Sequence, residues 1–449
     1  MYAGRAPAMN QFTVSLWGDE AFSAILSMKS IPEIIKIISR DTSPPLYNIT
    51  EHIWFQIFGT SEVAIRSLSF LYYLTAVFFV YKIGAHLWNR KTGVLAALLT
   101  SLNPFFFIYA FEGRMYSILA ATVAASMYFF LKRRWVGYVV ATTAALYSHH
   151  FSIFAVFVQG IWFLKELVIG NWKLVIQMLK AFAIIALAYL PWLIPLYNQT
   201  RMVGGGFWLG TPTLSDLGNL IKDYLAQGIK HNLALPAFYL VLAILLLRSW
   251  TKDIKKTLFL LSWFLLPIIL TWLISQKFQS IFFNRYLLYT IPGAMLVLTS
   301  NRRSFVSVAA LAVLIFLFSS IDFHYFTHPT KRPFRELAAY VLTTEKEGDF
   351  LINWNSKSHH LWETKYYNIP APIYIPKQGE LPFFVGTALM QNGDTIREIS
   401  KDAKRVGVVT SGPIDEIELP GYTEEETKTF GDLNFAWYIP TPKHKNDIE

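Results

Sequence analysis

Long apolar segments separated by short polar ones make up most of the chain. A helix needs about 20 consecutive apolar residues to cross a bilayer, and ten segments between residues 63 and 321 approach that length. We predict membrane spans at 63–82, 92–110, 116–131, 136–149, 150–169, 175–197, 233–250, 257–275, 286–300 and 304–321. A soluble fold does not account for ten such segments, so the pattern predicts a mainly α-helical, polytopic membrane protein with about 10–11 transmembrane helices.

The hydrophobic pattern changes after residue 321, where the chain becomes charged and has no long apolar run. Helical periodicity at 335–342 and 358–367 alternates with short apolar runs typical of strands. These strands are predicted at 349–353, 372–375, 405–410 and 435–439. We therefore predict two domains, a transmembrane domain (1–321) with outer loops at 15–60 and 198–232, and a small α/β domain (322–449).

Composition agrees with a membrane protein, since 53% of the residues are hydrophobic and only 16% are charged. The net charge of +10 would suggest nucleic-acid binding in a soluble protein. Here the basic residues fall in short loops between apolar segments, the pattern that orients a protein in a membrane, so we expect no nucleic acid partner. Because the chain contains no Cys, thiolate metal sites and cysteine nucleophiles are excluded.

Loop charges give the orientation. If the segment around Asp19 is outside, alternation places the basic residues in the inside loops and the C-terminal domain outside. The inside loops then contain Lys82, Arg90, Lys91, Lys132, Arg133, Arg134, Lys165, Lys173, Arg248, Lys252, Lys255, Lys256, Arg302 and Arg303. The same alternation places four polar clusters at the outer face, where they could form the walls of one site. These clusters are Asp19–Glu20, Glu112–Arg114, His149–His150 and Asn284–Tyr286.

The carboxylates Asp19 and Glu20 are the first candidates for chemistry. Two adjacent carboxylates near a membrane repel each other, which raises a pKa and would suit a general base. An ordinary solvated acidic turn is the alternative. Asp41 and Ser43 precede a rigid double proline that could present them towards Asp19, or that simply starts a helix.

The arginines Arg114 and Arg285 are candidates for phosphate binding, because a guanidinium binds phosphate bidentately. A self-satisfied pair of Glu112 with Arg114, and snorkelling of Arg285 to lipid headgroups, are the alternatives. His149 and His150 could bind a metal or donate to a phosphate. Adjacent residues on a helix face apart, so the two rings would not easily share one ion.

Taken in this order, the elements resemble the protein-mannosyltransferase-like branch of the GT-C glycosyltransferases. That branch comprises glycosyltransferase family 39 and bacterial relatives such as the aminoarabinose transferases and the Rgt-type sugar transferases. The resemblance spans most of residues 15–340. It rests on Asp19–Glu20, Pro44–Tyr47, Glu112–Tyr116, His149–His150, Arg285–Tyr286 and Arg335–Tyr340.

The resemblance implies a GT-C fold and a polyprenyl-phosphate monosaccharide as donor, with inversion at the anomeric carbon. The acceptor would be a lipid, a glycan or a protein. By position, Asp19 would be the general base and Glu20 would support it. The donor phosphate would be bound by Arg114, Arg285, Ser43 and Tyr286, and a substrate or cation by Asp41, Glu112, His149 and His150. No cofactor is certain, and a divalent metal cation stays open.

The sequence departs from that family in two places. Ser43 occupies a position that is often His or Lys in relatives, so phosphate binding would depend more on the arginines. Relatives commonly have a span before the acidic pair, whereas residues 1–16 are too short and too polar to be one. Whether a first span is missing from the N-terminus is therefore left open.

Two other classes of protein are the alternatives. A transporter or flippase of lipid-linked sugars would need polar residues at mid-membrane depth and often shows repeat symmetry. A receptor with a ligand-binding outer domain would not explain charges at successive helix ends. The sequence favours a multi-pass enzyme of the plasma membrane, expected in a bacterium, with its active site on the extracytoplasmic face and in contact with membrane lipid.

Overall fold

The computed structural model describes residues 9–229, 234–250, 253–300, 305–355, 359–376 and 379–442. The inside-loop residues Lys252, Arg302 and Arg303 lie outside the described residues, as does the end of the loop predicted at 198–232. The predicted fold class is confirmed, because helices dominate up to residue 344 and a small mixed sheet follows.

Three short helices precede the first long one. They are α1 (Gly18–Ser27), α2 (Ile31–Ile38) and α3 (Leu46–Phe58). Helix α1 begins with a capping arrangement in which the Glu20 side chain accepts a hydrogen bond from the Trp17 N–H. Helix α2 begins in the same way at Ser30 and Glu33. These caps satisfy amide groups that would otherwise lack partners at the helix starts.

Helices occupy most of each predicted span, and one further helix, at 214–226, lies in the predicted outer loop. In chain order they are α4 (Glu62–Leu87), α5 (Arg90–Ser101), α6 (Pro104–Ile108), α7 (Tyr116–Leu131), α8 (Trp135–Ser148), α9 (Ser152–Val168), α10 (Trp172–Tyr189), α11 (Leu193–Gly204), α12 (Leu214–Ala226), α13 (Ala234–Trp250), α14 (Ile254–Ser275), α15 (Asn284–Leu287), α16 (Ile291–Thr299) and α17 (Phe305–Thr327). Within the described residues, four helices are long and apolar enough to cross a membrane alone, counting α10 and α11 as one. The protein is thus a multi-pass membrane protein.

Two features of the helical region follow directly from its sequence. The segment predicted as one span at 92–110 is bent by 64°, because Pro104 begins α6 and has no N–H for a continuous helix. Helices α4 and α5 pack closely where Gly84 meets Gly93. A Cβ added to Gly84 would lie 2.8 Å from the Gly93 Cα, so this contact requires glycine.

The C-terminal region contains α18 (Phe334–Thr344), α19 (Leu361–Tyr366) and a six-stranded sheet. Its strands are β1 (Asp349–Trp354), β2 (Ile373–Tyr374), β3 (Thr395–Ile396), β4 (Arg405–Thr410), β5 (Tyr422–Phe430) and β6 (Leu433–Pro440). The strand order is β3-β2-β1-β4-β6-β5, with β1 parallel to β2 and β4 and with β6 antiparallel to β4 and β5. All four predicted strands are present, and β3 and β5 were not predicted.

Polar contacts dock the C-terminal region onto the helices. The Tyr367 hydroxyl accepts a hydrogen bond from the Leu16 N–H at 2.9 Å and donates to Glu62 Oε1 at 2.9 Å. Glu62 also pairs with Arg335 at 2.5 Å. Glu62 begins α4, whereas Arg335 and Tyr367 belong to the C-terminal region. These contacts attach the C-terminal region to Leu16, which is close to Asp19 in sequence, and to the start of α4.

Candidate active site

A cavity of about 470 Å³ lies between the helix ends and the C-terminal domain. The helical region contributes both charged and aromatic side chains to its wall. The C-terminal domain closes the cavity with His359, Trp362, Glu363 and residues 384–386, which we call the roof. Of the ten residues predicted for the site, seven line this cavity: Asp19, Asp41, Arg114, His149, His150, Arg285 and Tyr286.

Asp19 and Arg285 face each other in the cavity. The Asp19 Oδ2 and Arg285 Nη1 atoms are 3.0 Å apart, with side-chain exposures of 35% and 17%. The guanidinium of Arg285 lies near the rings of Phe283 at 4.9 Å and Trp17 at 5.4 Å. Its Nε is buried and without a hydrogen-bond partner among the described residues. Arg285 is thus a fixed cation with an unused donor.

Arg114 is the second cation of the cavity. Its Nη1 donates to the Asp19 carbonyl oxygen at 3.3 Å and to Ser23 Oγ at 3.3 Å. Its buried Nε also lacks a hydrogen-bond partner within the described chain. The predicted alternative, a self-satisfied pair with Glu112, does not occur among the described ion pairs. Two arginines with spare donors in one cavity form a suitable site for a phosphate.

Asp41 adds a carboxyl group to the same wall. Burial raises its pKa to about 6, although the charge of Arg114 opposes this shift. The side chain is 8% exposed and lies in the turn after α2. Near neutral pH this group is thus close to its own titration, unlike an ordinary surface aspartate.

The two adjacent histidines have different surroundings. His150 Nε2 lies 2.8 Å from Gln199 Oε1, and its Nδ1 lies 3.3 Å from the Tyr189 hydroxyl. His149 Nδ1 accepts a hydrogen bond from the Phe151 N–H at 3.1 Å, and its ring packs against Tyr286. The two rings therefore have different hydrogen-bond partners.

Glu20 does not line the cavity. Glu20 belongs to α1 and is fully buried. Its carboxylate pairs with Arg66 at 2.8 Å and with Lys331 at 2.8 Å, and it accepts a hydrogen bond from the Gly113 N–H at 2.9 Å. Burial raises its pKa, but the charges of Arg66 and Lys331 outweigh this effect and lower the pKa to about 2. The expectation that repulsion from Asp19 raises the pKa is therefore wrong for Glu20. Neighbours in a helical sequence face apart, so Glu20 points away from the site.

Glu112 and Ser43 also lie outside the cavity wall. Glu112 is buried, and burial raises its pKa, with the charge of Lys331 opposing the shift. Ser43 is buried as well, and its carbonyl oxygen accepts a hydrogen bond from Gln199 Nε2 at 3.3 Å. Neither side chain is placed to contact a molecule in the cavity. Within the part of the chain that the structure describes, no group of three or more His, Asp or Glu residues could hold a metal ion.

Several residues of the wall were missed by sequence reasoning. Phe207 and Trp208 come from the loop after α11, and Tyr116 and Gln199 from helices. Within the roof, Trp362 and Glu363 belong to α19 and His359 to the segment before it. The His359–His360 pair was the one visible signal there, but nothing in the sequence indicated that α19 packs against α1.

Comparison with known proteins gives one family and one fold. Residues 42–194 match the sequence model of the family described as dolichyl-phosphate-mannose-protein mannosyltransferase. No curated protein sequence matches the chain.

Solved structures of similar fold include two of one protein and one of another. ArnT from Cupriavidus metallidurans in the apo state has a TM-score of 0.67 at 12% identity, covering 95% of both chains. The same protein bound to undecaprenyl phosphate has a TM-score of 0.66 at 12% identity, also covering 95% of both. The oligosaccharyltransferase of Archaeoglobus fulgidus in the apo form has a TM-score of 0.50 at 13% identity, covering 81% of this chain and 60% of that one.

The family match includes α3 to α10, and the shared fold extends over nearly the whole chain. Residues 42–194 therefore match the mannosyltransferase family in sequence, and nearly the whole chain shares the fold of ArnT.

Proposed function

We propose that the protein transfers a sugar from a polyprenyl-phosphate carrier to an acceptor hydroxyl at the extracytoplasmic face of the plasma membrane, with inversion at the anomeric carbon. One observation carries the proposal: a carboxylate, Asp19, lies in one cavity with two arginines that have unused donors, Arg114 and Arg285. A base and a phosphate anchor are the two parts that such a transfer needs. We place the protein in a bacterium, because the bacterial ArnT shares its architecture.

The arginines would act on the leaving group. As the bond between the anomeric carbon and the phosphate oxygen breaks, negative charge grows on the phosphate. Preorganised donors aimed at such a charge are usually the largest contribution to catalysis. A polyprenyl chain as the rest of the donor is supported by the ArnT structure that contains undecaprenyl phosphate. With the Ser43 hydroxyl away from the cavity, phosphate binding would fall to the arginines, with Tyr286 and His149 beside them.

Asp19 would act on the acceptor. The acceptor hydroxyl gives its proton to the Asp19 carboxylate while its oxygen forms the new bond to the anomeric carbon. The bond to the phosphate breaks with its electron pair going to the phosphate oxygen, so polyprenyl phosphate leaves. Arg285 links the two events, because a phosphate that binds Arg285 competes with the Asp19 carboxylate and frees it to accept the proton.

The test is release of polyprenyl phosphate by purified protein from a panel of polyprenyl-phosphate sugars, with membrane lipid and glycan added as acceptors. We expect release by the wild type and a loss of about a thousandfold or more in Asp19→Asn, since a general base and its positioning are removed together. Asp402→Asn is the matched control, because Asp402 is an exposed aspartate of the C-terminal domain. A parallel reaction with a chelator tests whether a divalent cation takes part.

The same experiment separates an enzyme from a flippase of lipid-linked sugars. A flippase moves its substrate without breaking the sugar–phosphate bond, and Asp19→Asn should leave that movement nearly unchanged. Equal release by wild type and Asp19→Asn would exclude Asp19 as the base. If no donor releases polyprenyl phosphate but the protein moves the donor across vesicle membranes, the protein is a transporter and not a transferase.

A further inference from the structure

The roof brings a polar pair into the cavity that the proposed transfer does not use. Glu363 and His359 both line the cavity, and Glu363 is 4% exposed. A Cβ added to Gly18 would lie 3.4 Å from Glu363 Oε1. Glu363 of the C-terminal domain therefore lies against the backbone of Gly18, the residue before the proposed base.

Each of these side chains has one atom occupied and one atom free. Glu363 Oε1 lies 3.3 Å from His360 Nδ1, whereas Glu363 Oε2 is buried and without a hydrogen-bond partner in the described part of the chain. His359 Nδ1 accepts the Leu361 N–H at 3.3 Å, whereas its Nε2 is buried and unpartnered in the same sense. Burial lowers the pKa of His359 to about 4, so the ring is neutral near pH 7 and its Nε2 carries the proton.

Buried polar atoms without partners are rare in folded proteins and need an explanation. Here the free atoms form a complementary pair, since a carboxylate oxygen accepts a hydrogen bond and an imidazole N–H donates one. A hydroxyl group both donates and accepts, so neighbouring hydroxyls on one ring would satisfy both atoms.

Trp362 supplies an apolar surface beside this pair. Its Nε1 donates to the Val385 carbonyl oxygen at 3.0 Å, and its ring packs edge-to-face on Phe22 with centroids 5.3 Å apart. The indole is thus fixed on two sides while it also lines the cavity. A fixed aromatic ring next to a hydroxyl-binding pair is the chemistry that recognises a sugar ring, which has an apolar face and a polar edge.

We propose that the roof is the acceptor subsite and that the acceptor is a carbohydrate, whose ring packs on Trp362 and whose hydroxyls bind Glu363 and His359. This inference rests on the proposed transferase function. Donor phosphate and carrier would occupy the arginine side of the cavity, and the acceptor ring at the roof would present a hydroxyl to Asp19. An anionic headgroup is disfavoured there because Glu363 would repel it, and the hydroxyl-bearing side chain of a serine or threonine acceptor has no ring to pack on the indole.

The first test measures binding to the full-length protein in detergent by saturation-transfer NMR. The probes are the methyl glycosides of glucose, galactose, mannose and N-acetylglucosamine, with an acetylated serine peptide as the competing class. We expect at least one glycoside to bind, and Glu363→Gln to weaken it about tenfold, since a hydrogen bond to a charged group is lost. Glu418→Gln, an exposed glutamate of the same domain, should bind as the wild type does.

Three outcomes would overturn the assignment of the roof. They are binding of the peptide alone, glycoside binding that Glu363→Gln and His359→Phe both leave unchanged, and no glycoside binding by protein that still binds undecaprenyl phosphate. Failure of the transferase proposal is seen separately, as absence of polyprenyl phosphate release.

A second arm distinguishes acceptor sugar from donor sugar. Glycoside binding is measured again with saturating undecaprenyl phosphate and then with saturating undecaprenyl-phosphate mannose. If the roof holds the acceptor, both carriers leave the glycoside affinity unchanged or improve it. If undecaprenyl-phosphate mannose displaces the glycoside while undecaprenyl phosphate does not, the roof binds the donor sugar and the acceptor assignment is wrong.

Discussion

Asp19 and Arg285 form an ion pair inside the cavity, with Oδ2 and Nη1 3.0 Å apart. When substrates bind, each group would exchange the other for a substrate group. Arg285 would bind the phosphate, and the Asp19 carboxylate would accept the proton of the acceptor. The pair keeps both charges compensated while no substrate is bound. It also means that phosphate binding and activation of the base are coupled through one contact.

This coupling predicts opposite effects of Asp19→Asn on binding and on turnover. Removing the carboxylate frees Arg285 and takes one negative charge from the phosphate site, so affinity for undecaprenyl phosphate should rise about three- to tenfold. Turnover should be lost, because asparagine cannot accept the proton. Binding is measured by a thermal-shift or fluorescence titration of the purified protein with undecaprenyl phosphate.

Arg285→Ala is the matched counterpart, and it should weaken undecaprenyl phosphate binding about tenfold or more because the anchor itself is removed. Arg285→Lys should recover part of the loss, since a point charge without the bidentate geometry remains. A fall in phosphate affinity in Asp19→Asn would contradict the competition between carboxylate and phosphate.

We predict that Glu20 stabilises the fold and takes no part in the reaction. It joins α1 to Arg66 of α4 and to Lys331 at the start of the C-terminal domain. Glu20→Gln would leave two cations without their carboxylate, which should lower the free energy of unfolding by about 3–5 kcal/mol. The measurement is chemical or thermal unfolding of the detergent-solubilised protein near pH 7.

The double variant Glu20→Gln with Arg66→Gln is the control for this prediction. Its cost should be clearly smaller than the sum of the two single costs, because the second substitution removes a charge that the first has left unpaired. The lowered pKa of Glu20 adds a pH test: its contribution is complete above about pH 4.5 and is lost as the pH falls towards about 2. Additive costs would show that the pair is not coupled.

Asp41 is predicted to make phosphate affinity depend on pH. Its pKa is raised to about 6 by burial, so the group is mostly neutral at about pH 5 and mostly charged at about pH 7.5. Undecaprenyl phosphate titrates in the same range, and therefore the comparison is between wild type and Asp41→Asn. The two should bind equally at about pH 5, and the variant should bind about threefold or more tightly at about pH 7.5.

The effect of the ligand's own titration cancels in the ratio of the two affinities, since both proteins bind the same ligand. Asp402→Asn, exposed and not part of the cavity wall, should follow the wild type at both pH values. If the ratio of affinities is the same at both pH values, Asp41 does not titrate near the phosphate.

The apolar spans could be predicted because lipid requires long helices, and the buried strands because apolar alternation marks a sheet core. Strand β5 could not, since its interior residues from Thr423 to Thr429 are all polar and exposed. It is an edge strand whose backbone pairs with β6 on one side. A pattern of burial cannot indicate a strand that buries almost nothing.

The grouping of Asp19, Arg114 and Arg285 in one cavity could be predicted from topology, because each lies at or just before the start of a helix. Glu20 lies outside the cavity although it follows Asp19 in sequence, because the helix turns its side chain towards Arg66 and Lys331. The roof could not be predicted from the sequence, for another reason. Glu363 meets Gly18 only through docking of two domains, and that contact leaves no local pattern in either segment.

Glu51 provides a test of the outer segment that is independent of the cavity. Its carboxyl group is fully buried on α3, 2.7 Å from Ser27 Oγ and 3.0 Å from the Tyr47 hydroxyl. Burial raises its pKa from 4.5 to about 8, so between these values the folded protein holds a proton that the unfolded chain has lost. Stability should therefore fall as the pH rises through this window. In Glu51→Gln, which cannot titrate but keeps a hydrogen-bonding amide, the melting temperature should depend less on pH than in the wild type, with Glu418→Gln as the control. Parallel melting profiles of wild type and Glu51→Gln from about pH 5 to about pH 8.5 would show that Glu51 is ionised in the folded protein and that burial does not govern its charge.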